Sequence, residues 1–201
     1  MRKHFILVGF TLLCSAINAA PLPPFEQWQQ KHFVEGTNFS IQGSSVEINA
    51  DKSSAGLFLE RDIDLTKTPV LNWSWKISNI LRSQDEKGKK GDDFPARVYV
   101  VASSGPFPWQ KKTICYVWSS YQKVGSRWAN PYADNVIMLA LNSGNKDVGN
   151  WINHSRNIQQ DLETIFGKTF DELQVVAIMT DTDNSHQSAR GQYRGLSFSA
   201  P

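Results

Sequence analysis

Val70-Leu71-Asn72-Trp73-Ser74-Trp75-Lys76-Ile77-Ser78 alternates without a break: Leu71, Trp73, Trp75 and Ile77 fall on one side, Asn72, Ser74, Lys76 and Ser78 on the other. A two-residue repeat is the side-chain period of a strand, so the stretch reads as a half-buried antiparallel strand with a tryptophan-rich inner face. Further strand candidates lie at 45–49, 56–63, 96–102, 113–119, 136–141, 173–180 and 193–199, most of them bounded by turn residues.

One segment changes period. Ile158, Leu162, Ile165 and Phe166 follow the spacing of an apolar helical stripe. Asn157 stands where an N-cap belongs, Gln160 three residues later in the capping-box position, and Gly167 where a left-handed C-terminal cap is needed. Many short strands with a single helix predict an all-β fold, a two-sheet antiparallel sandwich of jelly-roll type with one amphipathic helix near residues 157–166. The longest irregular stretch, residues 82–93, is charged and joins two strong strands, so it should be either mobile or functional.

The start of the chain has the layout of a secretory signal peptide: Arg2 and Lys3, an apolar run from Phe5 to Ala16 too short to span a bilayer, then Ala19 and Ala20. Cleavage after Ala19 avoids a scissile bond next to Pro21, which divides the chain into a signal peptide (1–19) and one β-sandwich domain (20–201). A lipoprotein signal would use Cys14, but Leu13 stands where a small residue is required. The remaining length of about 180 residues suits one core. A periplasmic or secreted protein without membrane insertion is expected, acting as a monomer.

Loss of Arg2 and Lys3 leaves 19 basic against 19 acidic side chains. A neutral surface without a basic stripe gives no electrostatic reason to expect a nucleic-acid partner. Cys115 is then the one remaining cysteine, so no internal disulfide forms. Its apolar setting, Thr113-Ile114-Cys115-Tyr116-Val117-Trp118, is that of an inert buried thiol.

Three polar clusters sit where strands end, the usual place for sites in sandwich proteins. The first is Gly91-Asp92-Asp93-Phe94-Pro95-Ala96-Arg97, in which adjacent carboxylates could bind a cation, accept from sugar hydroxyls or act as a base, or simply cap a turn and pair with Arg97. The second, Thr180-Asp181-Thr182-Asp183-Asn184-Ser185, resembles the opening of a calcium loop. His186 and Gln192 stand where an EF-hand needs Gly and Glu, so what remains is a non-EF Ca²⁺ site on Asp181, Asp183 and Asn184, or a hydrogen-bonded turn. The third is Trp151-Ile152-Asn153-His154-Ser155-Arg156-Asn157 with Asp161, where a helix start and Arg156 could receive an anionic or hydroxyl-rich ligand, or form a cap and a surface ion pair.

Seven tryptophans include Trp109, Trp118, Trp128 and Trp151, and flat rings stack on sugars. Trp73 and Trp75 carry the core pattern, whereas Tyr116 and Trp118 share one strand face and are ring candidates for a ligand. The ligand-binding set is therefore Asp92, Asp93, Arg97, Tyr116, Trp118, Trp151, Arg156, Asn157, Asp161, Asp181, Asp183 and Asn184. Asp93, Arg97, Arg156, Asp181 and Asp183 are expected to converge on one face. No nucleophile elbow, phosphate-binding glycine loop or metal-spaced Cys/His pair occurs, which disfavours nucleotide, hydride and zinc chemistry.

Taken in order, Leu71-x-Trp73-x-Trp75, Lys90-Gly91-Asp92-Asp93-Phe94-x-x-Arg97-Val98-Tyr99-Val100, Tyr116-Val117-Trp118, Trp151-x-x-x-x-Arg156-Asn157, Phe166-Gly167 and Met179-Thr180-Asp181-Thr182-Asp183-Asn184 resemble a family of bacterial exported proteins catalogued only as a domain of unknown function. The likeness runs from about Phe25 to Phe198 and implies no activity. At fold level the pattern is similar to jelly-roll, galactose-binding-like carbohydrate-binding modules; the chain keeps the motifs of the family it resembles but lengthens the insertion at 105–110, so its ligand-side loops are expected to differ. Three functions stay open: an exported protein binding a glycan or other polyhydroxylated envelope ligand, a glycan-active hydrolase or lyase using paired Asp carboxylates, and a structural envelope protein. A glycosidase would need two carboxyls roughly 5 Å or 6.5–9.5 Å apart, which sequence does not place.

Overall fold

In the computed structural model, residues 20–82, 85–103, 105, 107 and 110–201 are described. The expected signal peptide and Trp109 lie outside them. The strands are β1 (Ala20–Pro21), β2 (Gln29–Val34), β3 (Thr37–Gln42), β4 (Ser45–Asp51), β5 (Ser54–Asp64), β6 (Val70–Ile77), β7 (Arg97–Ser103), β8 (Lys111–Ser119), β9 (Arg127–Asn130), β10 (Ala133–Ser143), β11 (Ile152–Asn157), β12 (Glu172–Asp181) and β13 (Ser188–Ser199). Among the described residues one α-helix, α1 (Ile158–Phe166), follows β11.

Two sheets form the predicted sandwich. One runs β11-β6-β13-β4-β3, with β1 added on β13; the other runs β2-β5-β12-β7-β8-β10-β9. The pairs in these sheets are antiparallel except β8 and β10, which run parallel because β9 takes the edge position beyond β10. The sequence pattern misses β1, β2, β3, β9 and β11. Four of them lie at sheet edges and the fifth, β1, off the main strand order; β2, exposed along most of its length, has no buried face to impose the alternation that marks a strand.

Strand β6 behaves as its sequence dictates, burying Leu71, Trp73, Trp75 and Ile77 between the sheets. Trp75 donates from Nε1 to Asn142 Oδ1 at 2.9 Å and Trp118 from Nε1 to the Gly144 carbonyl at 3.0 Å, so the polar edges of both rings are satisfied inside the core. The helix caps also form: Asn157 Oδ1 accepts from Gln160 N at 3.0 Å, and Gly167, at φ +66°, donates to the Glu163 carbonyl.

The seven-stranded sheet is covered on one face by the other sheet and carries a second apolar cluster on its opposite face, Phe94, Cys115, Val117, Trp128, Met138 and Ala140. Pairing register decides who shares that outer face. Phe58, Ala177, Tyr99, Cys115, Met138 and Trp128 are successive lateral neighbours, and Gly56, Met179, Arg97, Val117 and Ala140 form the next row. Tyr116, one residue from Cys115, faces the inter-sheet core with Val98, Ile178 and Leu57.

Residues 82–93 contain an anchor the sequence did not reveal. Glu86, fully buried, accepts hydrogen bonds from Ser119 Oγ and from the backbone amides of Ser120 and Gln122. A carboxylate held by three donors fixes this part of the connection and explains how a charged loop can pack over a strand end.

Candidate functional site

The first two polar clusters meet because β7 and β12 are antiparallel neighbours. Met179 pairs with Arg97, and Asp181 N donates to the Phe94 carbonyl at 3.1 Å, so the end of β12 lies beside the entry to β7. Arg97 is the centre of the arrangement and is only 2% exposed. Its Nη2 reaches Asp181 Oδ2 at 2.8 Å and the Asp92 carbonyl, while Nη1 lies 3.6 Å from Asp92 Oδ2 and donates to Tyr99 Oη at 3.0 Å. The guanidinium also lies over the Phe94 ring, 4.7 Å from its centroid.

Beneath this point the two sheets approach closely. Tyr193 of the facing sheet accepts from Arg97 N at 3.1 Å and donates to the Met179 carbonyl at 2.6 Å. Gly191 permits the approach, since a Cβ there would stand 2.5 Å from the Pro95 carbonyl. Asp93, fully buried, accepts from the Asn184 backbone and side-chain amides at 3.2 Å and from Ser185 N, binding the β12–β13 turn to the β7 entry.

Two carboxylates, Asp92 and Asp181, therefore flank one guanidinium, and Asp93 and Asp183 gather beside Asp181. Burial, followed by the neighbouring acids, pushes the Asp181 carboxyl well above the usual carboxylate range against the pull of Arg97. Burial works against the charge on Arg97, but Tyr99, Asp92 and Asp181 more than offset it and hold the guanidinium protonated. Buried Asp92 Oδ1, Asp181 Oδ1 and Arg97 Nε have no hydrogen-bond partner among the described residues. One oxygen from each of Asp93, Asp181 and Asp183 lies within 4.8 Å of the others, a group able to hold a metal ion. Asp93 joins the expected Asp181 and Asp183 in this group, and the Asn184 side-chain amide donates to Asp93 Oδ1 at 3.2 Å while its Oδ1 lies 3.3 Å from Tyr132 Oη.

The cluster forms the polar floor of a cleft of about 490 Å³ on the outer face of the seven-stranded sheet. Phe33 from edge strand β2 and Tyr132 from the β9–β10 turn line it, 59% and 57% exposed. Phe33 packs edge-on against Phe58, and Tyr132 Oη donates to the Lys89 carbonyl at 3.1 Å while the Lys89 ammonium lies over its ring. Burial and the nearby carboxylates of Asp92, Asp183, Asp181 and Asp93 raise the Tyr132 phenol pKa. The Cys115 thiol under the floor is pushed up to about 12 by burial, the inert state its neighbours predicted.

The remaining candidates lie elsewhere, which corrects the expectation of a single face. Tyr116 and Trp118 are fully buried between the sheets and have no free ring face to stack on a ligand. Arg156 makes a two-bond pair with Asp161, and Tyr116 Oη donates to Asp161 Oδ2 at 2.7 Å. This brace is on the side of the seven-stranded sheet opposite Arg97. Asn157 is occupied as the helix cap. Trp151 belongs to the other sheet's neighbourhood, with the Arg194 guanidinium 4.0 Å and the Lys76 ammonium 5.1 Å from its ring centroid.

Phe33, Phe58, Asn130 and Tyr132 line the cleft without having been singled out from sequence. Only Tyr99 had a signal there: it stands two residues after Arg97 on one strand, and that spacing places both on one face.

Residues 26–197 match the sequence profile of a family described as "Protein of unknown function (DUF3047)". No curated protein matches the chain. Among solved structures, an engineered meso-active, thermostable form of the Cel12A cellulase of Rhodothermus marinus is similar at 12% identity and TM-score 0.50, covering 91% of this chain and 100% of that one. The xyloglucanase domain of NopAA from Sinorhizobium fredii is similar at 14% identity and TM-score 0.49, covering 87% and 98%. A point mutant of the family 29 carbohydrate-binding module CBM29-2, complexed with mannohexaose, is similar at 10% identity and TM-score 0.41, covering 91% and 93%. At such identities the likeness is one of fold.

Proposed function

The chain belongs to the DUF3047 family of proteins of unknown function, and from the geometry of its cleft we propose that it is an exported carbohydrate-binding protein, with residues 1–19 as its signal peptide. The observation that carries this reading is the pairing of exposed aromatic rings at the cleft rim, Phe33 and Tyr132, with charged and polar side chains that line the same cleft, Asp92, Arg97, Asp181, Asp183 and Asn184. A sugar ring presents C–H faces to stacking aromatics and hydroxyls to charged hydrogen-bonding groups, so it uses both. The sandwich shared with the cellulase above is a background compatible with this ligand class.

Binding is favoured over hydrolysis by the arrangement of the acids. A glycosidase sets one carboxyl on each side of the scissile bond. Here Asp92 and Asp181 are held by the same guanidinium, and Asp93 is held by the β12–β13 turn, so the acids form one group and not two facing sets.

The test is retention of the secreted form on a panel of soluble and insoluble polysaccharides and peptidoglycan. Phe33→Ala and Tyr132→Ala should each weaken binding about five- to tenfold, the loss of one stacked ring, with an unchanged melting temperature because both rings are exposed. Trp151→Ala should leave binding intact. Retention indifferent to both rim substitutions, or absent for every glycan, would overturn the reading.

A further inference from the structure

We propose that Asp93, Asp181 and Asp183 bind a divalent cation, Ca²⁺, that ties the entry of β7 to the end of β12 at the floor of the cleft. Ca²⁺ takes oxygen ligands at about 2.3–2.6 Å, so oxygens on one ion lie at most about 4.6–5.2 Å apart. One carboxylate oxygen from each of the three residues meets that limit, all within 4.8 Å of one another. The donors come from two separate connections, which only the β7–β12 pairing brings together.

A second observation points into the same space. The Asp181 side chain is 8% exposed; its Oδ2 is held by Arg97, but its buried Oδ1 has no donor among the described residues, and the other side chain within hydrogen-bonding reach is a second acid, Asp183. A buried carboxylate oxygen without a donor is costly, and a cation is the partner a group of carboxylates can all share. Charge leads to the same result: Arg97 pairs with Asp92 and Asp181, while Asp93 and Asp183 beside Asp181 have no cationic side chain paired with them among the described residues, leaving an excess of acidic groups in a largely desolvated setting.

The donor chemistry selects the ion. All three ligands are hard oxygens with no imidazole or thiolate in the group, which disfavours zinc and copper. Asp183 is half-buried, giving the ion a path from solvent and room for water to complete its shell. Three carboxylates from two loops impose no octahedron, a condition Ca²⁺ tolerates better than Mg²⁺. This site does not depend on the sugar reading, and its test contains no sugar.

The mature chain is stripped with EDTA, dialysed, and melted with and without CaCl₂ against NaCl of equal ionic strength. With a Kd of about 10⁻⁴–10⁻³ M, the range of extracellular calcium modules, about 10 mM Ca²⁺ should raise the melting temperature by about 3–8 °C. Asp183→Asn, at a half-buried position that keeps the fold, should abolish that rise. Terbium binding, read through energy transfer from aromatic side chains and reversed by Ca²⁺, should disappear in the same variant. No calcium-dependent rise in the stripped protein, or a rise that survives Asp183→Asn, overturns the proposal.

Discussion

Two arginines in this sandwich, each set beside aspartate and tyrosine, have opposite fates. Arg156 and Asp161 make a two-bond pair completed by Tyr116 Oη, and none of the three is left with an orphaned buried atom among the described residues. Arg97 faces two carboxylates backed by two more, is almost fully buried, and leaves Asp92 Oδ1, Asp181 Oδ1 and its own Nε unpaired under an open cleft. The same residue types thus build a closed brace on one side of a sheet and an unfinished polar floor on the other. A cluster that satisfies itself fastens a helix to a strand; one with surplus charge and free acceptors has capacity left for a ligand.

The comparison is broken most directly at the two arginines. Arg97→Leu strands several buried carboxylates and should cost about 3–5 kcal/mol by denaturant unfolding, whereas Arg156, whose side chain is 36% exposed, should cost well under half of that when replaced by Leu. Equal costs would show that the two clusters are alike after all. At the acids the expected effects differ in sign. Asp161→Asn removes charge from an acceptor serving both Arg156 and Tyr116 and should destabilise by about 1–3 kcal/mol. Asp183→Asn in calcium-free buffer relieves repulsion among acids and should be neutral or slightly stabilising; a loss of about 1 kcal/mol or more would mean that the floor has no charge surplus.

A pH-dependent effect lies beside the brace. His154 is held near a pKa of about 4, first by burial and then by Arg156, and its Nε2 lies 2.8 Å from Asn142 Oδ1, the acceptor that also serves Trp75. The ring also stacks on Trp73. A folded pKa below the unfolded value means that the unfolded chain takes up the proton more readily, so this contribution is full above about pH 6.5 and is lost as pH falls toward about 4. Allowing for partial exposure, it should amount to about 1–2 kcal/mol. His154→Asn should flatten the stability profile across that same interval relative to the parent protein, and an unaltered slope would assign the acid sensitivity to the carboxylates alone.

Phe33 and Tyr132 show why the cleft was only partly legible. Each is an aromatic residue in an unremarkable local pattern, the first on an edge strand the alternation did not mark and the second in a turn. Asp92, Asp93, Arg97, Asp181, Asp183 and Asn184 were legible because polar residues at the ends of strong apolar strands stand out against the hydrophobic period. Tyr116 and Trp118 misled for the converse reason. In Ile114-Cys115-Tyr116-Val117-Trp118 both faces of the strand are apolar, since one meets the other sheet and the other meets the Phe94–Trp128 cluster, so no alternation tells which side is open.

The sequence by itself determined the sandwich, the helix with both its caps, the inert thiol and the family, because each of these is written in short-range order: a period of two, a period of about 3.6, a capping residue at a fixed offset. The pairing of β7 with β12, the parallel docking of β10 on β8 and the lateral rows that put Arg97 and Tyr99 on the cleft face were decided only in the tertiary structure. Lateral order among strands depends on which sheet edges find each other across long loops, and a slip of one residue would turn every side chain to the other face while leaving the local pattern almost unchanged.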